Sequence, residues 1–263
     1  VWAKGGILAA AGTLDFAGGT VVHINAGMAA LAAALILGKR KGYPNKISPP
    51  HNLPFAVIGA ALLWFGWFGF NAGSALSANG LAANAFVVTH IAAAMAAATW
   101  ALIDWIVNKH ATVLGTITGA VAGLVAITPA AGFVNIVGAL CIGISVSAIC
   151  YVFVAYLKPK FGYDDSLDAF GVHGIGGIWG ALATGLFATT AVNGAGNDGL
   201  FYGNPGLFLI QLKATLIAMG FSFAMSVILL KLVDKVMGLR VSEQGERVGL
   251  DLTEHRESGY TIL

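Results

Sequence analysis

Runs of apolar residues, each long enough to cross a bilayer, alternate with short polar segments along the chain. A transmembrane helix needs about 20 mostly apolar residues, because it rises about 1.5 Å per residue through a hydrocarbon core of about 30 Å. The sequence therefore predicts an all-α, polytopic membrane fold with seven transmembrane helices, the fourth being the shortest. The predicted spans are 16–38, 53–76, 81–107, 112–128, 134–157, 167–191 and 206–233.

Composition supports this class. Hydrophobic residues make up 57% of the chain and charged residues 10%, whereas a soluble domain contains about 25% charged residues. Cys141 and Cys150 lie in one apolar run, so no disulfide framework is predicted. Residues 1–12 contain one lysine but lack the pattern of a charged region, an apolar region and a cleavage site, so no signal peptide is predicted. We divide the chain into a transmembrane part, 1–238, and a polar tail, 239–263.

Basic residues predict which way the helices run. Cytoplasmic loops carry an excess of lysine and arginine, and 12 of the 14 basic residues lie in alternate loops or in the tail. These are Lys39, Arg40, Lys41, Lys46, Lys109, Lys158, Lys160, Lys231, Lys235, Arg240, Arg247 and Arg256. The predicted N-terminus is therefore outside the cell, and the tail is in the cytoplasm.

Two histidines fall inside predicted spans that run in opposite directions. His23 lies seven residues into the first span, and His173 lies six to nine residues into the sixth. At about 1.5 Å per residue both are about 10 Å deep and approach the midplane from opposite faces. Ionisable residues inside a membrane are costly and mark functional sites. We predict that the two imidazoles face each other in a pore; the alternative is that each is a packed helix residue.

The surroundings of the two histidines are similar. Asp15 precedes His23 by eight residues, and Asp165 precedes His173 by eight. Similar segments on spans of opposite direction are typical of transporters built from inverted repeats. Asp15 can cap the start of a helix, or it can be the negative end that holds a cation at the outer mouth. These two interpretations are compatible.

An aromatic segment ends the second span and contains Trp64, Trp67, Phe70 and Ser74. Aromatic belts at the membrane interface account for such residues without further function. Aromatic faces also attract cations, and a serine hydroxyl can accept a hydrogen bond from one. Trp2 is expected near the same face. The segment therefore predicts either an interfacial belt or an outer cation site.

Four motifs together resemble the ammonium transporter (Amt) family, in its microbial branch. In chain order they read DFAGGTVVHINAG at 15–27, GWFGFNAGS at 66–74, FGVHG at 170–174 and GLRV at 238–241. The resemblance implies a homotrimer of eleven-helix subunits, each with two inverted five-helix halves, a long last helix and its own pore. The seven spans then resemble helices five to eleven, so four further helices, with a second gating phenylalanine, are expected upstream.

The resemblance also implies a function, ammonium transport across the cell membrane without a cofactor, a metal or a nucleic-acid partner. The cation would be recruited outside and deprotonated, and ammonia would pass through a hydrophobic pore lined by His23 and His173. The residues implied at the outer cation site and gate are Asp15, Phe70, Ser74, Trp67 and Trp2.

The tail is charged and lacks an apolar span, which is typical of a solvated segment or of a partner-binding one. By resemblance it is the segment through which PII-type nitrogen-signalling proteins block the pore. The implied regulatory residues are Arg240, Glu246, Asp251, Glu254 and His255. Arg256 stands where the family usually has glycine, so the local turn is expected to differ.

Two other classes remain open on the residues alone. A seven-helix receptor or retinal protein fits the span count, but a retinal protein needs a lysine deep in its last helix. Lys213 lies only about eight residues from the outer end of that helix. An intramembrane metal enzyme could use His23 and His173 as ligands, although no third ligand is evident and His90 has no assigned role.

Overall fold

The computed structural model describes residues 1–45 and 49–260, and these residues form helices without any strand. The α-helices are α1 Ile7–Ala10, α2 Asn25–Leu37, α3 Leu53–Gly73, α4 Gly80–Asn108, α5 Val113–Ile127, α6 Ile136–Val152, α7 Lys158–Phe161, α8 Ile175–Phe187, α9 Pro205–Met237 and α10 Glu243–Val248. Single π-helical turns occur at Gly19–Ile24, Phe153–Leu157, Phe170–Gly174 and Asp251–His255, and a 3₁₀ turn occurs at Leu200–Tyr202. The all-α prediction is confirmed.

Short polar residues fix where the long helices begin. The side chains of Asn52, Asn79, Thr112 and Asn135 each accept a hydrogen bond from the backbone N–H three residues later. A helix leaves its first N–H groups without backbone partners, and such a cap satisfies one of them. These caps explain why α3, α4, α5 and α6 begin within two residues of the predicted starts.

Six helical segments are long and apolar enough to cross a membrane. They are Gly19–Leu37, Leu53–Gly73, Gly80–Asn108, Ile136–Phe161, Phe170–Phe187 and Pro205–Met237. The fourth predicted span, 112–128, forms α5, which has only 15 residues. It is apolar and largely buried, but it is too short for a complete crossing on the length criterion. The count of seven spans and the sidedness therefore stay predictions, and Lys46 lies outside the described residues.

Three predicted boundaries, in the sixth and last spans, differ from the structure by three or four residues. The sixth span begins at Phe170 rather than 167 and ends at Phe187 rather than 191, because Ala188 is extended. The last span continues to Met237 rather than ending at 233. Its final turns carry charged residues that can extend into water, and Gly238, with a φ of 76°, ends the helix.

Glycine and alanine form the contact between α4, α5 and α6. A Cβ added at Gly123 or at Gly143 would lie 2.5 Å from Ala92 O, and one at Gly119 would lie 2.7 Å from Ala96 O. The helix backbones therefore touch, as is common where small residues line membrane helices. Helices α5 and α6 pack against α8, and α5 also packs against the π-helical turns Gly19–Ile24 and Phe170–Gly174, which carry His23 and His173.

Candidate functional site

Asp15 organises the backbone that leads to His23. Its buried carboxylate accepts hydrogen bonds from the N–H groups of Gly18, Gly19 and Thr20, at 3.1, 2.6 and 2.9 Å. The π-helical turn Gly19–Ile24 follows directly and carries His23 into the interior. The capping interpretation of Asp15 thus has a direct structural basis.

Asp165 does the same for the second histidine. Its carboxylate accepts hydrogen bonds from Ala169 N at 3.1 Å and from Phe170 N at 2.8 Å. These donors lie four and five residues after the acid, as Gly19 and Thr20 do after Asp15. A π-helical turn, Phe170–Gly174, again holds the histidine. The two sequence segments are therefore two copies of one structural unit, an acid cap followed by a π turn.

Glycines let these two units cross. A Cβ added at Gly27 would overlap the backbone of Gly174, and one added at Gly177 would lie 3.0 Å from the Cβ of His23. Gly27 and Gly177 each follow a histidine by four residues. The glycines are therefore needed because the two helices meet backbone to backbone, next to the imidazoles.

The two imidazoles are in contact at this crossing. His23 Nδ1 and His173 Nδ1 are 3.3 Å apart, and the ring centroids are 5.3 Å apart. His23 is 2% exposed, and His173 is half-buried. The structure thus brings together the two histidines, as their spacing in the sequence predicts.

Thr128, just after α5, determines which nitrogens of the pair carry protons. Its hydroxyl oxygen is 2.7 Å from Leu124 O, 2.9 Å from Trp67 Nε1 and 3.2 Å from His23 Nε2. A hydroxyl has one proton, and we assign it to the shortest of these contacts, as a bond donated to Leu124 O. Thr128 Oγ1 then accepts from both ring nitrogens, so His23 carries its proton on Nε2.

This assignment fixes the direction of the bond between the imidazoles. With a proton on Nε2, a neutral His23 has a bare Nδ1, which accepts a hydrogen bond. His173 must then donate from Nδ1, and its Nε2 is left as the free acceptor at the end of the chain. A proton added to His23 Nδ1 would place two N–H groups against each other, so the pattern requires a neutral His23.

Aromatic rings cover one side of the pair. Trp67 stacks on His23, with centroids 5.2 Å apart and planes 19° apart, and Phe70 lies 6.0 Å from the same ring. A cavity of about 420 Å³ lies here, lined by Leu62, Trp67, Phe70 and both histidines. On the other side His173 also lines a second cavity of about 360 Å³, with Ile117 and Val172. The pair therefore separates two mostly apolar spaces.

The other residues predicted for the outer site lie in two places. Trp2 is exposed, and its Nε1 donates to Asp15 O at 2.6 Å. Ser74 follows α3, and its hydroxyl donates to Phe70 O at 2.8 Å. Within the described residues no hydrogen bond joins Trp2 to Ser74. The structure thus places Trp2 beside Asp15 and Ser74 beside Phe70, and the cation-binding role of all four stays a prediction.

Charged residues lie at the opposite mouth, beside the second unit. The Lys158 ammonium pairs with Asp168 and also donates to Asp165 O at 3.4 Å. Arg40 forms a two-pronged ion pair with Asp164, at 2.9 and 2.7 Å. Burial alone would raise the pKa of Asp164, but the hydrogen bonds from Arg40 outweigh it and hold this pKa below its ordinary value.

The tail folds back onto the loop that follows α2. Arg240 donates to Leu37 O and to Lys39 O, both at 2.6 Å, and to Glu246 at 3.0 Å. Glu246 also accepts from Lys41 N at 2.7 Å. Two of the five predicted regulatory residues therefore hold the tail against the membrane domain.

The remaining tail residues form a separate turn. Asp251 accepts from Gly259 N at 3.2 Å, while Glu254 and His255 are exposed. Arg256 has a φ of 57°, the left-handed conformation that favours glycine. The expected irregularity at this position therefore takes the form of a strained arginine.

Sequence reasoning missed several residues that organise the site. The sequence analysis assigns no role to Thr128, although a hydroxyl next to a proline at the end of a glycine-rich helix is a usable signal. Gln211 in α9 is buried; its amide donates to Leu14 O at 2.8 Å and accepts from Leu14 N at 2.9 Å. It thereby holds the segment before Asp15. His90 lies apart from the pair, with its ring centroid 5.4 Å from that of Trp64 and the two planes tilted by 41°.

The histidine pair does not form a metal centre with further ligands. Within the described residues no group of three or more histidine, cysteine or acidic side chains could hold a metal ion. Lys213 is an exposed residue of α9 and does not face the pair. The relatives reported next are transporters, so they do not support the receptor, retinal or enzyme alternatives.

Comparison with known proteins places the chain in a family. A profile of the Ammonium Transporter Family matches residues 1–260. The ammonium transporter of Bacillus subtilis is 54% identical over 260 residues, covering 99% of this chain and 64% of that protein. Ammonium transporter Amt1 of Archaeoglobus fulgidus is 52% identical over 258 residues, covering 98% and 65%.

A solved structure has the same fold. The crystal structure of Saccharomyces cerevisiae Mep2 superposes with a TM-score of 0.86 and 37% identity, over 92% of this chain and 56% of that one. The chain thus spans 64–65% of the length of the two curated relatives. Together with the six helices long enough to cross a bilayer, the profile match shows that this multi-pass membrane protein belongs to the Ammonium Transporter Family.

Proposed function

We propose that the protein of which this chain forms all or part transports ammonium, and that the imidazole pair of His23 and His173 lies in the path. The observation that carries the proposal is the hydrogen-bonded pair between two apolar cavities. Family membership supports the substrate, because the relatives of known name are ammonium transporters.

Deprotonation makes such a path selective. Ammonium and potassium ions have similar charge and size, but only ammonium has a proton to release. Carrying an ion into an apolar cavity costs several kcal/mol even after relaxation. Neutral ammonia loses far less hydration, so it crosses where the cation does not.

The bonding pattern of the pair suits this chemistry. The hydrogen bonds run from His173 Nδ1–H to His23 Nδ1 and from His23 Nε2–H to Thr128 Oγ1. His173 Nε2 is left as the free acceptor. A neutral imidazole with one donor and one acceptor can hydrogen-bond ammonia without holding a charge. We infer that the pair guides ammonia and offers an acceptor for a proton, while Trp67 and Phe70 limit the entry of water on their side.

The outer mouth would supply the cation. Asp15 is buried, and its carboxylate accepts three backbone N–H bonds without a lysine or arginine partner in the described part of the chain, so it would support a cation at this mouth through its charge and not by direct contact. Trp2 and Phe70 offer aromatic faces, which attract cations by about 0.5–2 kcal/mol. Ser74 offers a hydroxyl oxygen.

Replacing the histidines tests this proposal. His23→Leu and His173→Leu, made in the protein expressed from its own gene, are expected to abolish discrimination between methylammonium and potassium. Uptake is measured in cells that lack other ammonium carriers. His90→Leu is the matched control, because His90 is an exposed imidazole on α4 that lies outside the pair. Unchanged rate and selectivity in both single replacements would overturn the proposal.

For assembly and regulation we propose the homotrimer and the PII-type partner that the family resemblance implies. A Cβ added at Gly59, Gly66, Gly69 or Gly73 of α3 would meet nothing within 4 Å, and because Gly59 and Gly66 line the two cavities, this open face bears on the expected upstream helices and not on contacts between subunits. Such a glycine face suits another transmembrane helix. Native mass spectrometry in detergent tests the trimer. Binding of a purified PII protein, with and without Arg240→Ala, tests the tail.

A further inference from the structure

The two acid–histidine units share one further hydrogen-bond position, but a different side chain fills it in each unit. The backbone carbonyl of the capping acid accepts a hydrogen bond from outside the unit in both copies. At Asp15 O the donor is Trp2 Nε1, at 2.6 Å. At Asp165 O the donor is Lys158 Nζ, at 3.4 Å. The same position is therefore filled by a neutral indole at one mouth and by an ammonium group at the other.

The two donors act oppositely on a free cation. An indole face attracts cations through its quadrupole, whereas a lysine ammonium repels them. Lys158 also pairs with Asp168, the acid nearest to this mouth, and Arg40 pairs with Asp164. Asp15 has no such basic partner within the described residues. Two acids beside the second mouth, Asp164 and Asp168, thus pair with basic groups, whereas the carboxylates of Asp15 and Asp165 accept hydrogen bonds only from backbone N–H groups within the described residues.

The Lys158 group is close enough to act on the second cavity. Asp168 directly follows Leu167, which lines that cavity together with Val172 and His173. The side chains of Lys158 and Asp168 are 17% and 25% exposed, so solvent only partly screens the pair. The predicted orientation puts this mouth on the cytoplasmic side.

We propose that Lys158 makes transport sided: its tethered ammonium takes the place of a substrate cation at the second mouth, so that ammonium is recruited with higher affinity from the Asp15 side. The inference rests on the proposed function, because it assigns a direction to that transport. Lys158 would be a specificity-determining residue that sets the affinity of one face without touching the imidazole pair.

Sided transport assays test the proposal. Methylammonium uptake is measured in right-side-out spheroplasts and in inverted vesicles, with the protein expressed from its own gene. For Lys158→Met the half-saturating concentration at the cytoplasmic face is expected to fall about fourfold, the effect of one unit charge about 10 Å away at an effective dielectric constant of about 40. The outer value is expected to stay unchanged.

A second variant of opposite sign separates this effect from misfolding. Asp168→Asn leaves the Lys158 charge unpaired, so the cytoplasmic half-saturating concentration is expected to rise by a similar factor. Lys160→Met is the control, since Lys160 is exposed and forms no ion pair in the described part of the chain.

The outcomes distinguish the two hypotheses. The role of Lys158 would be overturned, and the proposed function left standing, by an unchanged cytoplasmic half-saturating concentration in Lys158→Met. Equal shifts of this concentration at both faces in both variants would have the same meaning. If the unmodified protein shows no saturable uptake at either face, the proposed function fails instead.

Discussion

Thr128→Val should destabilise the protein and allow the His23 ring to adopt both neutral tautomers. Valine keeps the shape of threonine but removes the oxygen that accepts from His23 Nε2 and Trp67 Nε1. Leaving a buried donor without a partner costs about 1–3 kcal/mol. Two such donors therefore give an expected loss of about 2–6 kcal/mol.

Thermal unfolding in detergent measures the loss, and ¹⁵N NMR of labelled histidine measures the tautomer. A loss of 2 kcal/mol corresponds to a fall of about 4–8 °C in a domain of this size. The His23 ring should change from a single Nε2–H form to a mixture, because nothing else fixes that proton. Thr184→Val is the control: it is also fully buried, but its hydroxyl bonds only to Gly180 O, at 2.8 Å.

A double-mutant cycle with Trp67→Phe sharpens the test. Since Trp67 Nε1 and His23 Nε2 share the same oxygen, the effects of Thr128→Val and Trp67→Phe should be less than additive. If Thr128→Val melts like Thr184→Val and keeps a pure Nε2–H tautomer, the proton assignment is wrong, and so is the direction of the bond to His173.

Three further results are expected. Gly27→Ala should cost about 1–3 kcal/mol through overpacking, because the new methyl group would overlap the backbone of Gly174; an unchanged melting temperature would contradict the close crossing. Arg256→Gly should stabilise the tail turn by up to about 1 kcal/mol. A left-handed residue with a Cβ costs about 1–2 kcal/mol, and glycine offsets part of this gain by losing about 0.5–1 kcal/mol in entropy on folding. Slower hydrogen exchange in the tail turn would show the stabilisation. The hydrogen bonds from Lys41 N and Arg240 lower the pKa of Glu246 below its ordinary 4.5. The contact between the tail and the loop after α2 should therefore be strongest above pH 4.5 and weaken as the pH falls through the lowered pKa. A fluorescent label on the tail measures this change, and Glu246→Gln should remove the pH dependence.

Much of the fold follows from local sequence. Hydrophobic length places the helices within a few residues, and the caps at Asn52, Asn79 and Asn135 mark where three of them begin. These signals act over three or four residues, so the sequence alone contains them. The length of the last helix was underestimated because a helix can continue beyond the bilayer, and hydropathy does not report that.

The candidate site could be predicted only in part from local sequence. The spacing of Asp15 and His23, repeated in the second unit, predicts two imidazoles at similar depth on opposed helices. It does not predict the π turns that hold both histidines.

The amino-acid sequence by itself determined the membrane class, the helical order and the two histidines inside apolar helical segments, since each depends on residues close together in the chain. Only the tertiary structure decided which nitrogen of each imidazole carries the proton and which charged groups lie at each mouth. The physical reason is distance along the chain: Thr128 is 105 residues from His23, and Arg40 is 124 residues from Asp164. Hydrogen bonds between such distant groups depend on tertiary packing, which local sequence patterns do not predict.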